Sequence, residues 1–89
     1  MIIEKTYCPC CGYKTLCERD MFEICPVCFW EDDGQDDPDA DEVRGGPNHD
    51  LSLAAARRNF KEFGASDRCS IKHVRKPMPD EILKENDSG

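Results

Sequence analysis

Two Cys-Pro-x-Cys quartets, Cys8-Pro9-Cys10-Cys11 and Cys25-Pro26-Val27-Cys28, constrain this chain more than any other feature, with thirteen residues between Cys11 and Cys25. Cysteines at the two ends of a tight turn can both reach one ion, and a second such turn closes a tetrahedral thiolate shell. Proline fixes φ at the second position of each turn, and Gly12 allows the positive φ with which a chain leaves such a knuckle. The spacing therefore predicts one structural Zn²⁺ held by Cys8, Cys11, Cys25 and Cys28, with iron as the alternative occupant. A single domain of 89 residues has a small core, so the metal is expected to be a folding requirement.

Strand and turn signals flank the quartets. Ile2–Tyr7 reads as a lead-in strand, Gly12–Leu16 as a strand rich in β-formers, Cys17–Asp20 as a polar turn, and Met21–Ile24 as a second strand running into Cys25. That order predicts a hairpin between the knuckles. Phe29 and Trp30, directly after the second knuckle, are expected to cap the site and supply aromatic packing. One amphipathic helix is expected over 51–63: Leu53, Ala56, Phe60 and Phe63 recur on a 3.6-residue period, Ser52 or Asp50 can cap its start, and Gly64 sits where a C′ glycine belongs. Beyond Gly64, one or two helical turns are expected over 66–73, an extended run over 74–79 and a turn over 80–84. The fold class is thus a small α+β, zinc-stabilised domain with zinc-ribbon or rubredoxin-like knuckles, a short β-hairpin, one helix and an extended C-terminal tail. Residues 1–79 form the domain, and 80–89 a turn and a disordered tail.

Three of the seven cysteines lie outside the quartet ligands. Cys10 is the candidate reactive thiol, because knuckle N–H groups and the metal beside it would lower its pKa. Cys17 and Cys69 are expected to be unliganded. Cys69 and His73, four residues apart, would need two more ligands from Cys10, Cys17 and His49 to form a second site.

Charge is concentrated. Between residues 31 and 50 nine acids face Arg44 alone, whereas residues 51–89 carry eight basic and six acidic residues; the chain as a whole has a formal charge of −7. Such a chain repels phosphate backbones, which disfavours a nucleic-acid-binding zinc ribbon. Asp32, Asp33, Asp36, Asp37, Asp39, Asp41 and Glu42 are the candidate partner-binding residues, offered to a basic protein, unless they pair internally with Arg57, Arg58 and Lys61. The loop fails the calcium-loop template, with Glu42 where glycine is required and Asn48 where a bidentate glutamate is required. No apolar run reaches membrane-spanning length and the N-terminus has no export signal; with paired Cys-x-x-Cys spacing, that favours a reducing cytoplasm.

Cys8-Pro9-Cys10-Cys11-Gly12-Tyr13, Ile24-Cys25-Pro26-Val27-Cys28-Phe29-Trp30-Glu31-Asp32-Asp33-Gly34-Gln35-Asp36, Arg57-Arg58-Asn59-Phe60 and Phe63-Gly64-Ala65 together resemble the bacterial cysteine-rich CPCC family, over residues 7–79. The resemblance implies small zinc-binding proteins without an established activity, and carries over only the four knuckle cysteines. A closed Cys₄ shell leaves no open metal position, and no nucleophile–base pair or phosphate loop stands elsewhere, so no enzyme is expected. The function that follows is a structural zinc-binding interaction module. The alternatives are rubredoxin-like electron transfer or thiol redox chemistry, and nucleic-acid binding.

Overall fold

A computed structural model of the chain describes residues 5–82. Its only sheet among those residues is a two-stranded antiparallel one, β1 (Thr6–Tyr7) against β2 (Lys14–Leu16), with Thr6 opposite Leu16, Tyr7 opposite Lys14 and an irregularity between the two pairs. These strands bracket the first knuckle rather than connecting the two knuckles. The expected pairing of 12–16 with 21–24 does not form, and the reason is local. Each Cys-Pro-x-Cys turn reverses the chain by itself, so its own flanks become antiparallel neighbours. In the first knuckle the Gly12 N–H donates to the Cys8 carbonyl at 2.8 Å and the Cys8 N–H to Tyr13 at 2.8 Å. The second repeats the pattern, Phe29 N–H to Cys25 O at 2.7 Å and Cys25 N–H to Trp30 O at 2.9 Å, and Ile24 bridges Glu31 beyond it. Residues 17–23 form a loop between the hairpins: the Glu23 carboxylate accepts from the N–H groups of Cys17 and Glu18 at 2.9 and 3.2 Å, and Asp20 and Phe22 take positive φ. A strand cannot pass through such residues.

Helix α1 spans Leu53–Phe63. Ser52 is extended and its hydroxyl accepts from the Ala55 N–H at 3.1 Å, which starts the helix two residues later than expected; Gly64, at φ 85°, ends it by donating to the Phe60 carbonyl at 2.9 Å. Leu53 and Ala56 are fully buried against Cys8, Leu16, Val27, Cys28 and Trp30. Phe60 and Phe63 are only half-buried. Phe60 meets Tyr13 edge-to-face at 6.4 Å, and Phe63 lies under the Arg68 guanidinium at 4.9 Å. Trp30, with no exposed surface, is the largest side chain in the core, so the small core is built around the knuckles.

Short 3₁₀ turns occupy 37–39, 46–48, 68–73 and 79–81. The extended run after His73 lies along the second knuckle, where the Arg75 N–H donates to the Pro26 carbonyl at 3.2 Å. Glu81 is buried and receives both Arg75 nitrogens, at 2.9 and 2.8 Å, so the packed part continues past residue 79. Residues 83–89 of the turn and tail expected over 80–89, and residues 2–4 of the expected lead-in strand, lie outside the described residues.

Candidate metal centre

The two knuckles face each other and bring Cys8, Cys11, Cys25 and Cys28 together, with all four sulfurs within 4.8 Å of one another. Cys8, Cys25 and Cys28 are fully buried and Cys11 half-buried. Two edges of the cluster, Cys8 Sγ to Cys28 Sγ and Cys11 Sγ to Cys25 Sγ, measure 3.6 and 3.7 Å. A tetrahedral ion with metal–sulfur bonds of about 2.3 Å requires S···S edges of about 3.8 Å. The residues therefore fit a four-coordinate metal, and the edges are far too long for disulfides, which bond at about 2.05 Å. None of the seven cysteines forms a disulfide.

Backbone ties hold the two turns from the helical side of the molecule. Arg57 on α1 donates from Nε to the Pro9 carbonyl at 2.9 Å, and the Ser66 N–H donates to the Cys28 carbonyl at 2.8 Å. Cys25 has further donors: the Thr15 hydroxyl at 2.9 Å and the Val27 N–H at 3.4 Å. Hydrogen bonds to sulfur favour the thiolate. Thr15 carries no motif signal and reads from sequence as a strand former; only its place on β2, facing the second knuckle, gives it this role. Crowding splits the proton affinities of the cluster. Contacts from Cys11, then Cys28 and Cys8, draw the Cys25 thiol far down, whereas contact with Cys25 pushes Cys11 up and contact with Cys10 and Cys11 pushes Cys28 up.

Cys10 is buried, 8 % exposed, within the core cluster around these sulfurs. That position limits the contact of the candidate reactive thiol with solvent. Cys17 and Cys69 are exposed. Among the described residues the four knuckle cysteines are the sole group of three or more Cys, His, Asp or Glu close enough to share an ion, so Cys69, His73 and His49 do not assemble with Cys10 or Cys17 into a second centre.

The acidic segment departs furthest from expectation. Asp32 and Asp33 are buried, so neither is open to a partner. Arg19 reaches into the segment from the inter-knuckle loop, with Nε 2.8 Å from Asp32 Oδ2, Nη1 2.7 Å from Asp36 Oδ2 and Nη2 donating to the Gln35 carbonyl at 2.9 Å. Its guanidinium also lies 4.9 Å from the Tyr7 ring centroid, and the Tyr7 hydroxyl donates to Asp36. Burial pushes the Asp36 carboxyl up, but Tyr7 and Arg19 together hold it down to about 2. Asp37 pairs with Arg57 at 2.8 Å, and Asp39 pairs with Arg44. Of the expected internal partners Arg57 is used, while Arg58 and Lys61 form no ion pair among the described residues; Arg19 and Arg44, which charge patterning did not single out, do most of the pairing. Asp41 and Glu42 remain exposed and outside any ion pair among the described residues.

No helix among the described residues is long and apolar enough to cross a membrane. Searches of curated proteins and of solved structures returned no match. The profile of the family described as Cysteine-rich CPCC matches residues 6–81, from β1 through both knuckles and α1 to the buried Glu81, and the chain belongs to that family.

Proposed function

We propose that the chain is a structural zinc-binding module that works by contacting a basic protein partner in a reducing, cytoplasmic setting. The observation that carries the metal reading is the sulfur tetrahedron, whose 3.6 and 3.7 Å edges match four bonds to one ion. Four protein ligands complete a tetrahedral shell, so zinc there would hold the knuckles together without an open position for substrate. The paired Cys-x-x-Cys spacing, which suits metal thiolates better than disulfides, supports a reducing compartment. The partner reading rests on the net charge of −7, on the exposed Asp41 and Glu42 left outside any ion pair among the described residues, and on Asp37, which is exposed although paired with Arg57.

Iron fits the same four thiolates, because tetrahedral S₄ sites take either metal. Elemental analysis of purified protein separates them: one zinc per chain in a colourless sample supports the proposal, and a red, iron-containing sample replaces it with the electron-transfer reading. Affinity capture with wild type and with an Asp37→Asn, Asp41→Asn, Glu42→Gln variant tests the partner. Identical captured proteins would remove the acidic-surface reading.

A further inference from the structure

A cleft of about 250 Å³ opens on the side of the second knuckle, between Phe29 and Glu31, the 46–51 segment and the 3₁₀ turn 68–73. Two carboxylates, Glu31 and Asp67, and two imidazoles, His49 and His73, line it, and among the described residues no lysine or arginine does. The Glu31 carboxylate makes no hydrogen bond or ion pair among the described residues; its backbone alone is tied, to Asn48. Asp67 uses one oxygen, at 3.4 Å, to cap the Cys69 N–H. One wall is an aromatic stack, Phe29 on His73 at 5.1 Å and 24°.

Two lining residues hold backbone conformations that side chains ordinarily avoid. Phe29 sits at φ 70°, and His49 at φ 57° and ψ −126°. The turn of the second knuckle accounts for Phe29, whereas His49 belongs to no knuckle, and strain of its kind at a non-glycine residue gathers at ligand clamps. The cleft is smaller than the roughly 300 Å³ at which small-molecule pockets begin, so it suits one side chain better than a free metabolite. No three of its Cys, His, Asp or Glu donors lie close enough together to share an ion, so it is not an assembled metal site.

We propose that this cleft receives an arginine side chain from a basic protein partner, the guanidinium held by Glu31 and Asp67 against the Phe29–His73 stack. The proposal rests on the basic-partner reading above and gives that partner a defined point of attachment. A planar guanidinium matches both features of the cleft, since it bonds carboxylates through fixed N–H forks and stacks on aromatic faces. The acidic net charge would draw such a partner in without fixing where it docks.

Amide-resolved NMR of the metal-loaded protein tests this with the blocked tripeptide Gly-Arg-Gly, and with Gly-Gln-Gly as the uncharged control. Saturable shifts are expected at Phe29, Glu31 and residues 67–73 with the arginine peptide alone, weakening as salt rises. Glu31→Gln is expected to weaken binding about two- to fivefold, and Asp67→Asn, which keeps the cap acceptor, by a similar factor. Equal shifts with the glutamine peptide, or no shifts with either, would overturn the proposal. Shifts centred on Asp37, Asp41 and Glu42 would overturn the cleft while leaving a basic partner in place. Shifts of His49 and His73 on adding zinc chloride to the metal-loaded protein, at lower concentration than the peptide requires, would reassign the cleft to a metal. Zinc content measured on the same sample reports separately on the four-cysteine centre.

Discussion

Phe29 holds in the second knuckle the place that Gly12 holds in the first. Each donates its N–H to the carbonyl of the leading cysteine, at 2.7 and 2.8 Å, and each does so with positive φ, 70° for Phe29 and 83° for Gly12. Glycine adopts that conformation freely, whereas a residue with a Cβ is disfavoured there by about 1 kcal/mol or more. The ordinary stability order should therefore invert at position 29. Phe29→Gly is expected to be more stable than Phe29→Ala by about 1 kcal/mol, because both lose the His73 stack and glycine alone sheds the strain. Gly12→Ala should cost about 1 kcal/mol, since nothing lies within 4 Å of the added methyl and only conformation opposes it. Urea unfolding of the metal-loaded variants measures all three. An alanine variant at 29 as stable as the glycine one would end the strain argument.

Metal removal should unfold the domain. The core is gathered around the knuckles, with Trp30, Leu53 and Val27 packed on Cys8, Cys25 and Cys28, so without the ion the knuckles lose what aligns them. Structural zinc in small domains supplies on the order of 10 kcal/mol of binding energy, comparable to the whole stability of a small fold. Chelation or Cys25→Ser is expected to abolish the native circular dichroism spectrum, and Cys69→Ser, at an exposed thiol, to leave it unchanged. A native spectrum for Cys25→Ser would show that the fold stands without the metal.

Thr15 should tune the metal through Cys25. Its hydroxyl is buried and donates to the Cys25 sulfur at 2.9 Å. Thr15→Val keeps the volume and removes the donor, so the thiolate loses a stabilising hydrogen bond and the buried sulfur is less well solvated. Outer partners of this kind typically change metal affinity about tenfold or more. Competition with a chromophoric chelator should show weaker binding by about tenfold for Thr15→Val and near-wild-type binding for Thr15→Ser. Equal affinity for all three proteins would reduce the contact to packing.

What could be read beforehand followed from how local each signal is. The four ligands are legible because three-residue spacing and the prolines encode them within each turn, and the Ser52 and Gly64 caps are legible because each acts within one turn of α1. The strand pairing was not, since Met21–Ile24 has strand composition and only the positive φ of Phe22 and the self-closing knuckles exclude it. Nor was the fate of the acidic segment legible. Charge density treats carboxylates alike, while Asp32 and Asp36 are separated from Asp41 and Glu42 by Arg19, a residue thirteen and seventeen positions away in sequence.

Acid should release the metal before it disturbs that network. Asp36 has a folded pKa of about 2, below the roughly 3.9 of an unfolded aspartate. A depressed carboxyl contributes stability that is complete above the unfolded value and is lost as pH falls through the folded one, here between about 4 and 2. Metal thiolates face proton competition at higher pH, because binding requires all four sulfurs deprotonated. Loss of metal, followed with a zinc indicator, and loss of fold, followed by circular dichroism, should therefore coincide and finish before pH reaches about 4. A fold that persists with metal bound until about pH 3 would place the acid-sensitive step in the carboxylates instead.

The Arg19–Asp32 pair should prove costly to break from either side. Asp32 has no exposed surface and its two oxygens accept from the N–H groups of Asp20 and Gly34, at 2.7 and 3.1 Å, besides Arg19. Arg19→Met leaves that buried carboxylate without its counter-charge, leaves the Gln35 carbonyl without its donor, and takes one of several donors from Asp36, which keeps the Tyr7 hydroxyl and the Asp37 N–H. Removing one partner of a buried pair typically costs about 3–5 kcal/mol, whereas removing both costs less than the two separate losses together. Arg19→Met is therefore expected to destabilise the metal-loaded protein by about 3 kcal/mol. Asp32→Asn should cost somewhat less, because an amide still offers an acceptor to Asp20 or Gly34. In the double variant the two effects should fall short of additivity by more than about 1 kcal/mol. Urea unfolding of the four proteins measures the cycle, and strictly additive effects would mean that Arg19 stabilises the loop through Tyr7 and Asp36 rather than through Asp32.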